Sequence, residues 1–345
     1  MGNKPPSSSM NWKLWTGLIL SALFLYLAFR QVDFKKTGAI IASSDFRLLV
    51  PAVLITIAQY LVRAWRWEIL LSPVKKTGFE NRFLSVLVGF AANCVLPARL
   101  GEFIRANSLG QAEKISKSAA FGTLVIERLF DGFVLLIILI TGLLFTAFPA
   151  DLAHISKSLR ISAVVFFCVL VILIVFIAGF RYRTELFTRI IGKLFFMFSE
   201  KIRKNIILIV ENFAVGLSPI KGFNSWCIVI LWSFILWILS LLQIQIVGAA
   251  TGIKLPFITS FIILGMLSMG VAVPSAPGFI GTYHLTVQYA FMLFGISAEQ
   301  GLSAAILLHA SFFLPTVLLG VLAFVKMQAL YGKIDVGKDL KQPSM

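Results

Sequence analysis

The sequence predicts an all-α, polytopic membrane protein, and three observations predict it. Apolar residues make up 59% of the 345-residue chain and charged ones only 13%. A helix needs about 20 apolar residues to cross a roughly 30 Å hydrocarbon core, and Ala163 to Phe180 and Phe223 to Ala250 are nearly unbroken runs. A transmembrane β-barrel would instead show alternating segments of about ten residues. The third observation is a pair of short apolar arms, one in each half of the chain, each broken by Pro and Gly.

Apolar segments fall at about 14 to 29, 47 to 71, 83 to 96, 118 to 148, 159 to 180, 223 to 250, 256 to 273, 279 to 295 and 300 to 325. The first follows Lys4 and Lys13 like a signal peptide, but no small-residue cleavage pattern precedes Arg30, so it reads as a retained span. Phe83 to Leu96 has 14 residues, about 21 Å as a helix, too short to cross. It stops at Pro97, and the following stretch to Leu109 contains Glu102 and Arg105. Such a pattern suits a re-entrant hairpin buried within protein. In the second half, Phe257 to Val273 leads into Pro274-Ser275-Ala276-Pro277-Gly278, and Phe279 to Phe294 returns. Paired broken segments point to a midplane binding site between inverted repeats.

Segment 181–222 holds eight cations, Arg181, Arg183, Arg189, Lys193, Lys201, Arg203, Lys204 and Lys221, against Glu185, Glu200 and Glu211. The positive-inside rule makes it cytoplasmic, with the tail cations Lys326, Lys333, Lys338 and Lys341. About six true spans plus two re-entrant hairpins then put both termini inside the cytoplasmic membrane, the hairpins entering from opposite sides. The alternative is eight or nine full spans. Residues 1–330 form one integral membrane unit and 331–345 a short tail. Ile190, Leu194, Phe195, Phe198 and Ile202 make part of 181–222 read as an amphipathic helix on anionic lipid, the alternative being a solvated loop.

Composition narrows the chemistry. The net charge of +16 needs no nucleic acid to explain it, because in a membrane protein the placement of cations sets topology. Cys94, Cys168 and Cys227 are dispersed in apolar segments and read as buried thiols. With only His154, His284 and His309 and no HExxH, neither a metal site nor another cofactor is expected. Gly332 to Lys338 matches GxxxxGK, but Asp339 stands where the P-loop needs Ser or Thr.

Seven charged residues sit inside or at the mouth of apolar stretches: Arg63, Arg66, Arg99, Glu102, Glu127, Arg128 and Asp131. An ionisable group at bilayer depth is costly and marks a protein interior or a wet cavity. The densest cluster runs Asn93 to Arg105, where Pro97 and Gly101 break the helix and Arg99, Glu102 and Arg105 follow at i, i+3 and i+6. Arginine suits phosphate because its planar fork gives two donors in one geometry. Glu127 and Asp131 are one turn apart with Arg128 alongside, ~14 to 20 Å along the fourth segment. They either serve a ligand or pair with Arg63, Arg66, Arg99 or Arg105 structurally. Arg66 and Trp67 read either as site residues or as interface anchors, whereas Arg63 lies deeper. In the second hairpin Pro274, Pro277, Gly278 and Gly281 break the helix and free backbone amides at the next helix start. His284, one turn on, reads as a hydrogen-bonded core residue or a proton carrier.

Together the run Asn93 to Arg105, Glu127-Arg128-Leu129-Phe130-Asp131, Arg63-Ala64-Trp65-Arg66-Trp67 and Pro274 to Gly281 resemble the lysylphosphatidylglycerol synthase transmembrane family, which includes the flippase half of the bacterial multiple peptide resistance factor. The resemblance covers nearly the whole chain. It implies a bacterial-type inner-membrane protein that moves a phospholipid or related lipid. The aminoacyl-transferase domain of fused members does not follow before Met345, so lipid aminoacylation is not expected. His284 stands where an acid often follows the proline and glycine motif.

The sequence therefore predicts a lipid translocase rather than an enzyme. Arg63, Arg99 and Arg105 engage phosphate, Glu127 and Asp131 hold an amine headgroup or fix the arginines, and Arg66, Asn93, Glu102, Arg128 and His284 complete the lining. Expected partners are membrane phospholipids, a separate lipid-modifying synthase and further copies of the chain. The rivals are an intramembrane transferase using a polyprenyl-phosphate donor and a non-transporting partner of a synthase. No metal-binding DxD or nucleophile elbow supports the first.

Overall fold

A computed structural model describes residues 21–332 apart from 31, 97–99, 147, 149–152, 196–198, 219–221 and 274. Pro97, Arg99, Pro274, the first half of the first apolar segment and the tail beyond 332 lie outside the described residues. The described elements are helical: α1 (21–29), α2 (Phe34–Ala42), α3 (Leu49–Leu71), α4 (Phe79–Val95), α5 (Gly101–Glu113), α6 (Lys117–Phe145), α7 (Ala153–Tyr182), α8 (Thr184–Leu194), α9 (Glu200–Gly216), α10 (Phe223–Ala250), α11 (Thr259–Ala272), α12 (Thr282–Met292) and α13 (Ala298–Tyr331). Among them five stretches, Phe46–Leu71, Lys117–Phe145, Ile155–Tyr182, Phe223–Ala250 and Ala298–Tyr331, are long and apolar enough to cross a membrane.

Hydrogen bonds at the helix ends fix the topology. At one end of the bundle, Glu113 at the close of α5 accepts from Gly78 N and Asn81 Nδ2 before and within α4, both at 2.8 Å. Lys75 donates to the Glu113 carbonyl at 2.7 Å, and Tyr331 at the end of α13 donates to Asn81 at 2.7 Å. So α4 and α5 leave and return on the same face. At the other end, Asp45 N donates to Ala250 O at 2.9 Å, Ser303 to Thr37 O at 3.3 Å, and Phe148 meets Phe294 with ring centres 6.4 Å apart. There α11 and α12 leave and return, so the two hairpins enter from opposite faces. Arms of 17, 13, 14 and 11 residues reach only about 25, 20, 21 and 17 Å, short of a full crossing. Twelve described cations lie towards the first face (Lys75, Lys76, Lys114, Lys117, Arg181, Arg183, Arg189, Lys193, Lys201, Arg203, Lys204 and Lys326) and seven towards the second (Arg30, Lys35, Lys36, Arg47, Lys157, Arg160 and Lys254). The first is called the basic face below.

Glycine sets how closely the arms approach. A Cβ at Gly101 would overlap the Gly89 carbonyl and the Asn93 side chain, and one at Gly89 would stand 2.6 Å from Arg105 Cβ. The second hairpin closes the same way, because a Cβ at Gly270 would overlap Thr286. The two breaks also meet. Gly278, in the short turn Pro277–Phe279, has φ +72°, and a Cβ on it would lie 3.2 Å from Cys94 O and 2.8 Å from the Phe313 ring. Side chains disfavour that positive φ, so glycine is what the contact requires.

Three sequence expectations need correction. The first hairpin's apolar arm is a 17-residue helix rather than 14, because Glu80, Asn81 and Arg82 find partners and extend it towards the basic face. The apolar positions Ile190, Leu194 and Ile202 of the expected amphipathic helix are exposed but fall on two helices, α8 and α9, which pack on each other, while Phe198 lies outside the described residues. Of the cysteines only Cys94 is buried, Cys168 and Cys227 lying on exposed faces of apolar helices.

Candidate functional site

Three helices bring charge together towards the basic side of the bundle. On α3, Arg63, Arg66 and Trp67 are one turn apart and share a face; on α6, Glu127 and Asp131 do. Glu127 and Asp131 stand 10 and 14 residues from Lys117, about 15 and 21 Å along the axis. α5, held against α4 by Gly89 and Gly101, supplies Arg105.

Arg105 and Glu127 form a bidentate pair, Nη1 to Oε1 at 2.9 Å and Nη2 to Oε2 at 3.0 Å. The Arg105 guanidinium also stacks 4.0 Å from the Trp67 ring centre, and Trp67 Nε1 donates to Thr123 Oγ1 at 2.9 Å. Arg66 Nη1 donates to Asp131 Oδ1 at 2.6 Å and to Ser233 Oγ of α10 at 2.8 Å, with Nη2 3.4 Å from Glu127 Oε1. Arg63 Nη1 stands 3.6 Å from Asp131 Oδ2 and 3.7 Å from Glu127 Oε1, over the Phe90 ring at 4.7 Å. Arg128 closes the cluster: Nη2 donates to Glu127 Oε1 at 2.7 Å and lies 3.6 Å from Glu102 Oε1, while Nη1 is 3.5 Å from Asp131 Oδ2.

Among the described residues the balance is four guanidinium groups against three carboxylates, +4 − 3 = +1, and Glu102 pairs there with Arg128. Arg66 and Glu127 are fully buried, whereas the Arg128 side chain is 41% exposed. The cluster therefore runs from the interior to the surface between α5 and α6, where Leu100 and Phe103 are exposed. Several buried atoms make no hydrogen bond: Arg63 Nη1, Arg66 Nε and Nη2, Arg105 Nε and Asp131 Oδ2. An arrangement with spare guanidinium donors and excess positive charge can take an anion through paired N–H donors.

Of the residues expected from the sequence, the fold brings together Arg63, Arg66, Glu102, Arg105, Glu127, Arg128 and Asp131. Interface anchoring is excluded for Arg66 and Trp67, both 0% exposed, because Asp131 and Arg105 hold them inside. Asn93 Oδ1 accepts from Gly101 N at 2.8 Å and so caps α5. His284 lies at the other hairpin, its ring centre 4.8 Å from that of His309. His309 Nε2 is 2.8 Å from Gly278 O, so this second histidine, missed in the sequence, braces the positive-φ glycine.

Ser233, Phe90 and Arg82 were also missed. Ser233 carried only a weak signal, as one of three serines, with Ser225 and Ser240, in the apolar run of α10. Arg82 is buried at the base of α4, donating to Ala64 O at 3.2 Å and pairing with Glu68 at 2.5 Å. It ties α3 to the hairpin. Among the described residues no three His, Cys, Asp or Glu side chains converge as metal ligands would.

Comparison with known proteins agrees with this architecture. A UPF0104 membrane protein of Pyrococcus horikoshii is 23% identical over 327 residues, covering 91% of this chain and 97% of that protein. Glycosyltransferase AglD of Haloferax volcanii is 23% identical over 320 residues, 85% of this chain, and the chain spans 51% of that protein. A UPF0104 membrane protein of Methanothermobacter thermautotrophicus is 24% identical over 251 residues, 70% of this chain and 74% of that protein. The family model of the lysylphosphatidylglycerol synthase transmembrane region matches residues 14–320, and the chain belongs to that family.

Proposed function

We propose that this chain is a lipid translocase that carries a phospholipid headgroup through the charged cluster while the acyl chains stay in the bilayer. The observation that carries the reading is the excess of guanidinium groups, with Arg63 Nη1 and Arg66 Nη2 ion-paired in the interior but making no hydrogen bond, and Arg128 half-exposed at the edge. A phosphodiester entering beside Arg128 meets donors all the way to Arg63, and it supplies the hydrogen bonds that the buried Nη atoms lack. The hairpins from opposite faces give such a path two broken ends that touch at Cys94 and Gly278. On the positive-inside rule the basic face is cytoplasmic in an inner membrane.

The test is movement of fluorescent phospholipid in proteoliposomes. Arg63→Ala should lower the rate at least about tenfold, with thermal stability close to that of the parent, because Arg63 makes no hydrogen bond to either acid at its Nη1. Full activity of a folded Arg63→Ala protein sinks the reading.

The glycosyltransferase name of the AglD relative, of which the chain spans 51%, favours a second reading as a transferase; the form we weigh is an intramembrane transferase acting on a polyprenyl-phosphate lipid in the same cluster. Mass spectrometry of lipids incubated with the protein separates the two. A covalently changed lipid selects the transferase, and unchanged lipid redistributed between leaflets selects the translocase.

A further inference from the structure

The α8–α9 hairpin carries a second concentration of cations, which the buried cluster does not use. Seven cations (Arg181 at the end of α7, Arg183 at the turn into α8, and Arg189, Lys193, Lys201, Arg203 and Lys204 on the hairpin) stand at or beside it against Glu185, Glu200 and Glu211. Of these ten groups, only Lys204 and Glu200 form an ion pair with a described partner, at 2.8 Å. Arg189 and Lys193, one turn apart on α8, and Arg203 on α9 line a single groove with Glu185, Thr188 and Ile207. Its floor at Gly192 is open, since a Cβ there would meet only Ile207 Cδ1, at 3.9 Å. Three cations around one acid in a groove leave a place for a phosphate.

α8 has a different face that water does not suit. Leu186, Ile190 and Leu194 recur every fourth residue and are 48%, 44% and 70% exposed. Phe187 instead turns inward, its ring centre 4.9 Å from that of Phe180 on α7. The hairpin is fixed to the bundle, because α9 backs onto the start of α6 where Gly216 touches Ala119 and Gly122. An uncovered apolar stripe beside unpaired cations is the pattern of a helix lying in the headgroup boundary.

We infer that the α8–α9 groove docks the anionic headgroup of a phospholipid in the leaflet at the basic face. Arg189, Lys193 and Arg203 contact its phosphate, and Leu186, Ile190 and Leu194 sink among the first acyl carbons. The charge complementarity selects phosphatidylglycerol over a zwitterionic lipid, because a net negative surface attracts each nearby cation. None of these residues belongs to the buried cluster, so the inference stands apart from the transport reading.

Hydrogen exchange of residues 184–216 in the full chain, reconstituted in nanodiscs, tests it. Discs of equal parts phosphatidylglycerol and phosphatidylcholine should slow exchange in α8 and α9 at least about tenfold relative to phosphatidylcholine alone. The triple variant R189A/K193A/R203A should lose that difference, whereas Lys201→Ala, on α9 outside the groove, should keep it. Equal protection in both discs overturns the inference, as does a triple variant that keeps the difference or a Lys201→Ala protein that loses it. Inorganic phosphate added to phosphatidylcholine discs should give no protection; protection from it alone assigns the groove to a free anion instead.

Discussion

The two hairpins are built alike and equipped differently. Each is a pair of arms too short to cross, each closes on a glycine that admits the facing arm, and the breaks touch where Gly278 meets Cys94. The first hairpin delivers charge: Arg105 forms a bidentate pair with Glu127, and Glu102 reaches Arg128. The second brings no described charged side chain to its break. It offers a positive-φ glycine braced by His309, with His284 packed beside it. Pseudo-symmetry of backbone thus does not imply symmetry of chemistry. The first hairpin carries an ionic cluster and the second supplies shape.

That contrast is sharpest in the largest expected effect. Arg105→Gln leaves Glu127 buried without its bidentate partner, and breaking such a pair costs about 3–5 kcal/mol. Thermal unfolding in detergent should show a large loss of stability, and a variant as stable as the parent would make the cluster chemistry rather than scaffold at this position.

Next comes the shape of the second break. Gly278→Leu forces a side chain at φ +72° into Phe313 and the Cys94 carbonyl. The strain costs about 1–3 kcal/mol, and lipid movement should fall to background while membrane insertion persists. In the same region, cysteine at Gly278 should crosslink to Cys94 through a short bifunctional reagent. Absence of crosslinking would separate the two breaks and dissolve the comparison.

A smaller stability effect, with a large functional one, is expected at Arg63. Arg63→Lys keeps the charge over Phe90 but loses the planar fork, so lipid movement should be only partly retained, with stability changed by about 1 kcal/mol or less. An equal loss of stability and transport would place Arg63 with Arg105 as scaffold.

The smallest effect is expected at His284. His284→Phe keeps an aromatic ring against His309 and should cost about 1 kcal/mol or less, with transport within about twofold of the parent. A tenfold loss would show that the second break carries chemistry after all, and the asymmetry argued above would fail.

What the sequence by itself determined is whatever depends on local composition and period. Unbroken apolar runs set the helical membrane class, Pro97, Gly101, Pro277 and Gly278 marked the breaks, and charges inside apolar stretches marked the cluster. Helical spacing also put Glu127 with Asp131 and Arg63 with Arg66 on common faces. What only the tertiary structure decided is who meets whom. Arg105 finds Glu127 22 positions away, Arg66 takes Asp131 and Ser233 from two different helices, and Arg82 binds α4 back to α3. Trp67 is an interior platform for Arg105 and not an interface anchor, and His284 stays at the second break. These pairings follow from the rotation and closeness of packed helices, which glycine contacts such as Gly89 with Gly101 set. A helical period tells which side chains share a face but carries no information about the face they will oppose.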